Sequence, residues 1–307
     1  TMWRYYVLRL GAKLVVVLPT WTSLLIMECW AFLTFHFGRE SRAAIEANLR
    51  GVLGEGVDPK RLRRVTRQAF RNMCLNYYDL SRVPRMSRQE VEKRVVFHGR
   101  EHLEAARGAG KGVIVASAHL GNLDLVMQAA VLISMDIVIL TERLAPVKYH
   151  DFVMALRNTQ GLTFAEAGAS GVKAAFRALK EGRFVGLACD RVIHGQGQET
   201  SFFGKPTLMP MGAADLALRT GATLLPSYSV RAGRDRYDVF FNEPIFVSKN
   251  GHDPQEVRAL ADRVIVVMER YIREYPAQWM AFEPIWDRGA SQTSVVDRRE
   301  KSAAKAA

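Results

Sequence analysis

Gly112-Val-Ile-Val-Ala-Ser-Ala-His-Leu-Gly-Asn-Leu-Asp124 is the stretch on which the fold turns. Its first six residues form a short apolar run, opened by glycine and closed by serine, and read as a buried strand. Gly121 permits a tight turn and Asn122 is a good helix N-cap, so a helix is expected over about 122–133. The alternation continues outward. Residues 136–141, 162–165, 184–188 and 223–230 read as further buried strands, with helical patterns over 148–160, 170–181 and 211–221 between them. Strands alternating with helices imply an α/β fold with a parallel-rich central sheet flanked by helices. Residues 237–241, alternating near 244–247, suggest an antiparallel edge, and 254–274 a last long helix.

In open α/β sheets, ligands sit beyond the carboxyl ends of the strands. That directs attention to His119, Glu142, Arg143, Asp190, Arg191 and Arg231. Asp124 follows His119 by five residues, in the first turn of the next helix. A strand-to-helix turn can bring that carboxylate back onto the imidazole, where it would fix the tautomer and support an imidazolium. An imidazole so held is a general base for an alcohol, and a hydroxyl attacking a reactive thioester needs no covalent enzyme intermediate. A purely structural His–Asp pair fits the same residues. Arg157, Arg191 and Arg231 are candidate anion clamps, with surface ion pairs as the plain alternative. The apolar run 123–133 reads either as core or as an acyl slot.

The chain has 307 residues, 49% of them hydrophobic, enough for a sizeable core without a disulfide or metal staple. Cys29, Cys74 and Cys189 have no short spacing, which excludes a disulfide scaffold and a zinc ribbon. Cys189, in an apolar strand, is expected to be inert packing. His98-Gly-Arg-Glu-His102 matches a zinc pattern, but Gly99 interrupts it after what reads as a strand end, so no metal is expected. No phosphate-binding loop or dinucleotide fingerprint is present. His194 and the Gly195-Gln-Gly197 segment suggest a flexible lid.

The net charge is +12, and residues 1–110 carry 19 Lys and Arg against 10 Asp and Glu. Three quarters of the excess therefore accompanies the most apolar stretch, Leu14-Val-Val-Val-Leu-Pro-Thr-Trp-Thr-Ser-Leu-Leu-Ile-Met-Glu-Cys-Trp-Ala-Phe-Leu33. Twenty such residues can cross a bilayer, but Pro19 would kink the helix and Glu28 is costly at depth. Two membrane readings stand: a tilted spanning helix, or a helix pair lying in the interface. A buried core helix is the third. Residues 60–80 form a basic amphipathic helix, which suits an anionic membrane surface or a solvated face. No nucleic-acid reader motif accompanies the charge. The expected organisation is a membrane-associating helical region over 1–94, an α/β domain over 95–288 and a disordered tail over 289–307.

Several blocks, in order, resemble the bacterial lysophospholipid-type acyltransferases. These are Gly99-Arg-Glu-His-Leu-Glu104, the His119-x4-Asp124 block, Arg157 four residues before Gly161, and a loop from Asp190-Arg191 to Ser201-Phe-Phe-Gly204. Pro210-Met-Gly212, Pro226, Arg231, Tyr275-Pro-Ala-Gln-Trp279 and Trp286 complete the match, which covers roughly residues 1–288. Within that family the chain looks most like the lipid A late acyltransferases and the phosphatidylinositol mannoside acyltransferases. Asp190-Arg191, and Met280-Ala-Phe-Glu-Pro-Ile-Trp286 in place of a Trp-x-His-x-Arg-Trp ending, lean towards the mannoside branch.

The resemblance implies an O-acyltransferase that moves a fatty acyl group from acyl-CoA or acyl-carrier protein to a hydroxyl of a membrane glycolipid. No cofactor beyond that donor substrate is implied. His119 would be the general base, with Asp124 as its partner and Glu199, shortly before the Phe-Phe-Gly loop, also serving it. Arg157, Asp190, Arg191, Arg231, Phe202, Phe203 and Gly204 would bind substrate. The expected partners are a lipid acceptor, the acyl donor and an anionic membrane surface, and the expected place is the cytoplasmic face of the cell membrane. A thioesterase would share every one of these residues, with water as acceptor, and a non-catalytic lipid-binding protein would keep only the fold.

Overall fold

In the computed structural model, which describes residues 2–158, 161–192, 197–249 and 253–286, the apolar runs become the strands of one seven-stranded sheet. The expected tail and residues 193–196 of the expected lid lie outside the described residues. Five helices precede the sheet: α1 (Met2–Val17), α2 (Thr20–Phe37), α3 (Arg39–Leu53), α4 (Pro59–Arg82) and α5 (Arg88–Arg94). The alternating part follows as β1 (Val95–His98), α6 (Arg100–Gly108), β2 (Val113–Ser117), α7 (Leu123–Ala129), β3 (Ile137–Thr141), α8 (Val147–Arg157), β4 (Thr163–Glu166), α9 (Ala169–Lys180) and β5 (Phe184–Ala188). It ends with β6 (Gln198–Phe202), β7 (Lys205–Met209), α10 (Gly212–Thr220), β8 (Thr223–Arg231), β9 (Tyr237–Phe241) and α11 (Pro254–Glu274).

The strand order is β1-β9-β8-β2-β5-β3-β4, and only the β8–β9 pair is antiparallel. Side chains alternate between faces along a strand. Ile114, Ala116, Val185 and Leu224 therefore pack with α9, α10 and α11 on one side. Val113, Phe184, Leu225 and Val239 pack with α5, α6 and α7 on the other. Both faces are covered, which is why the central strands read as unbroken apolar runs. Leu125, Ala129 and Ala130, from the run that read as core or acyl slot, belong to the second of these cores.

Three features differ from the sequence reading. The 237–241 strand is not an edge, because β1 adds to it in parallel, while 244–247 contributes only an isolated bridge from Ile245 to Leu224. β6 and β7 form a separate antiparallel hairpin whose two-residue turn, Phe203-Gly204, has positive φ at both positions. The apolar stretch 14–33 is not one helix. Pro19 has no N–H and its ring blocks the preceding turn, so α1 ends at Val17 and α2 starts at Thr20. Among the described residues no helix is long and apolar enough to cross a membrane, so the spanning-helix reading has no support in the structure.

α4 carries the N-terminal helices onto the sheet. Asp58 accepts from the Arg61 N–H and Pro59 fills the first turn, so the helix start is capped. Leu62, Ala69 and Phe70 bury one face against Phe35 of α2 and Ile45 and Leu49 of α3. A second face meets the turn after β2 and the segment 276–280.

Candidate active site

β2 and β5 are neighbours in parallel register, with Ser117 opposite Ala188. The Cys189 N–H continues the pairing to the Ser117 carbonyl at 2.7 Å. Two residues past each strand end, the chains present His119 and Asp190 to one another, and Asp190 Oδ1 lies 2.8 Å from His119 Nδ1. The other carboxylate oxygen accepts from Trp279 Nε1 at 2.9 Å. Asp190 is 1% exposed. Burial alone would raise its carboxyl, but the charge and hydrogen bond of His119, the Trp279 N–H and the Arg191 charge together hold it at about 2. With an ionised acceptor at Nδ1, the neutral ring carries its proton there and leaves the Nε2 lone pair free. Nε2 has no partner among the described residues, and the side chain is 31% exposed. A half-open imidazole backed by a buried carboxylate has the chemistry to take a proton from a hydroxyl that reaches it.

The turn that carries His119 is pinned at every carbonyl. The His119 carbonyl accepts from Met280 N at 2.7 Å, that of Leu120 from Ser229 Oγ at 3.2 Å and that of Gly121 from Asn76 Nδ2 at 2.6 Å. The Gly121 N–H donates to the Gln278 carbonyl at 2.9 Å. Gly121 has φ 68°, and a Cβ there would sit 2.4 Å from the Ser229 carbonyl oxygen, so glycine is required twice over.

The structure places the predicted site residues differently from the expectation in four respects. Asp124 is in the first turn of α7 as read, but its carboxylate pairs with Arg157 Nε at 2.6 Å, and the imidazole takes Asp190 instead. Asp190, expected among the substrate contacts, meets the imidazole. Glu199 stands exposed on β6, whose inward positions are Thr200 and Phe202. Phe202 is fully buried between Trp279 and Trp286, and Phe203 lies under Arg273, so the Phe-Phe-Gly turn braces the core beside Trp279.

The three arginines are all engaged. Arg157 holds Asp124 and also reaches Thr141 Oγ1 at 3.4 Å, and Arg191 Nη2 meets Glu142 at 3.0 Å. Arg231 is buried on Asp79 at 2.5 Å. The first two pairs are part-exposed and can exchange partners with an incoming anion; the third is 8% and 1% exposed and shut off from solvent. Asn76 and Asp79 belong to no sequence motif, and Gln278 and Trp279 stand only within the closing block, with no role attached to either. The contact of Trp279 with Asp190 spans 89 residues and carries no local pattern. Cys189 is buried in the core, as its apolar strand implies, and burial is the chief cause that pushes its thiol up to about 12.

The family model for bacterial lipid A biosynthesis acyltransferase matches residues 1–288. A phosphatidylinositol mannoside acyltransferase of Mycobacterium tuberculosis (strain CDC 1551 / Oshkosh) is 31% identical over 215 residues, 68% of this chain and 66% of that protein. The protein of the same name in strain ATCC 25618 / H37Rv is 31% identical over 228 residues, 73% of this chain and 67% of its own. One from Mycolicibacterium smegmatis is 27% identical over 272 residues, 80% of this chain and 87% of its length. The match thus spans about two thirds of the first two relatives. A solved 1-acyl-sn-glycerophosphate acyltransferase from Thermotoga maritima aligns over 82% of this chain and 97% of its own, at 14% identity and a TM-score of 0.39. With every described residue inside the matched range, the chain belongs to the bacterial lipid A biosynthesis acyltransferase family.

Proposed function

We propose that the chain transfers a fatty acyl group from an acyl thioester, acyl-CoA or acyl-carrier protein, to a hydroxyl of a membrane glycolipid, of the phosphatidylinositol mannoside or lipid A kind. The observation that carries the reading is the His119–Asp190–Trp279 chain with Nε2 open. The acceptor oxygen attacks the thioester carbonyl while its proton passes to Nε2. Asp190, ionised throughout, stabilises the imidazolium. The tetrahedral intermediate expels the thiolate, which takes the same proton back, so ester and thiol form and the base is restored. Asp124 and Glu142 orient Arg157 and Arg191, which are available to the donor's phosphates. The names of the relatives support a mannoside-type acceptor. The reaction takes place at the cytoplasmic membrane face, where α1 and α2 lie in the interface.

The test is a single-turnover incubation of the purified protein with radiolabelled palmitoyl-CoA and a total lipid extract, with a second arm using palmitoyl-carrier protein. A labelled glycolipid that disappears with His119→Ala supports the reading. Label appearing only as free fatty acid would replace it with a thioesterase. Full turnover by His119→Ala would remove the imidazole from the mechanism.

A further inference from the structure

α4 carries a polar stripe on the side that faces the catalytic turn. Asn72, Asn76 and Asp79 follow at spacings of four and three, so they share one face. Asn72 Nδ2 donates to the Ala277 carbonyl at 2.8 Å. Asn76 Nδ2 donates to the Gly121 carbonyl at 2.6 Å, and its Oδ1 accepts from Arg231 Nη2 at 3.0 Å. Asp79 is 1% exposed, and its Oδ2 accepts from Asn122 Nδ2 at 2.9 Å, from Arg231 Nη2 at 2.5 Å and from the Tyr237 hydroxyl. Its Oδ1 is buried with no hydrogen-bond partner among the described residues. A buried ion pair with an unmet acceptor is a poor source of stability, and packing alone would be served as well by apolar side chains. Such a group is better explained by the geometry it enforces.

On the acyl-transfer reading above, we propose that Asn76 and Asp79 are positioning residues for His119, holding the turn 119–122 so that the imidazole stays on Asp190. Of the three carbonyl anchors on this turn, Met280 and Ser229 come from the α/β side and Asn76 from the helical layer. Asp79 acts one residue further along. It holds the side chain of Asn122, whose Oδ1 caps α7 through the Leu125 N–H at 3.2 Å. Arg231 locks the set to β8, because its main-chain N–H and carbonyl bracket the Gln278 side chain at 2.7 and 3.0 Å. Gln278 in turn receives the Gly121 N–H. On this reading α4 is part of the catalytic scaffold.

The experiment uses the full chain and two variants, Asn76→Ala and Asp79→Asn, read by hydrogen–deuterium exchange over residues 118–126, by thermal melting and by thioester turnover. Asn76→Ala is expected to speed exchange in that peptide about tenfold, with α11 unchanged. It should lower kcat roughly 10- to 100-fold at constant donor KM. Asp79→Asn should move both readouts the same way; if it fails to fold, Asn76→Ala alone decides. Unchanged exchange overturns the proposal whether or not the wild type turns over. Faster exchange with unchanged kcat overturns it too, as does a loss of kcat no larger than the loss of folded protein. A wild type inactive on every donor sinks the acyl-transfer reading instead, and the exchange measurement still decides whether α4 holds the turn.

Discussion

Asp190 reaches His119 across 71 residues, and that separation explains what local sequence could and could not tell. Both residues were legible as strand exits, because each follows an apolar run that ends in polar residues. Their pairing was not, since it depends on β5 lying beside β2, and strand order leaves no local trace. Asp124, five residues away, was the nearer guess, and it is held off by Arg157. Asp190→Asn should lower kcat by roughly 10²- to 10⁴-fold, because an amide neither fixes the tautomer nor supports the imidazolium. The same variant has a signature in stability. The folded Asp190 carboxyl sits at about 2, below its unfolded value of about 3.9, so its contribution is present above about pH 4 and is lost as pH falls towards 2. Urea unfolding of the wild type and Asp190→Asn between pH 6 and pH 2 should show their difference shrink by about 2 kcal/mol. A difference that stays constant would mean that the carboxylate is not held by His119 and Trp279. Gly121→Ala tests the turn itself. It places a methyl group against the Ser229 carbonyl at positive φ, and should cost about 1–3 kcal/mol and most of the activity, checked by melting and turnover.

At the scale of elements, the central strands were legible because apolar burial on both faces overrides every other signal. β6 and β7 were not, because a short hairpin with sequence Gln198-Glu-Thr-Ser-Phe202 carries polar residues outward and only Thr200 and Phe202 inward. The segment after α11 is the element that ties the molecule together, and it has almost no secondary structure of its own. Asn48 of α3 is its clasp: Nδ2 donates to the Ala281 and Glu283 carbonyls at 2.9 and 2.8 Å, and Oδ1 accepts from the Ile285 N–H at 3.0 Å. Trp286 then packs over Gly51, where even a Cβ would meet its ring at 2.4 Å. Asn48→Ala leaves these three groups unmet in a buried place and should cost about 2–4 kcal/mol. Hydrogen exchange should show residues 281–286 loosening first. Because Trp279 is on the same strap, turnover should fall before the protein melts. An unchanged melting temperature would mean that water replaces the clasp.

For the whole molecule, the distribution of apolar surface argues how it meets its substrate. Among the described residues, eleven of the seventeen exposed large apolar side chains lie between Tyr6 and Phe37, on α1 and α2. Trp21, Phe32 and Phe37 are 68%, 51% and 79% exposed, a concentration far beyond the scatter of single residues on an ordinary surface. Basic side chains border it: the guanidinium groups of Arg42, Arg63 and Arg67 stand 5.6, 5.9 and 5.8 Å from the Phe35 ring at the α2–α4 junction. An apolar face with an arginine rim matches an anionic bilayer interface, the apolar part entering the acyl boundary and the arginines facing headgroups. The helix break at Pro19 fits this better than a span, since two short helices can lie flat. Co-sedimentation with phosphatidylglycerol-containing vesicles tests it. Replacing Trp21, Phe32 and Phe37 together by serine should weaken partition more than about a hundredfold, since each buried aromatic contributes about 2 kcal/mol. Circular dichroism and hydrolysis of a soluble short-chain thioester should stay near wild type. Arg63→Gln with Arg67→Gln should cost about thirtyfold at low salt and little at high salt, because each arginine adds about 1 kcal/mol of screened attraction. Partition that survives the serine variant would place the membrane contact elsewhere and leave the α1–α2 face to cover another protein surface.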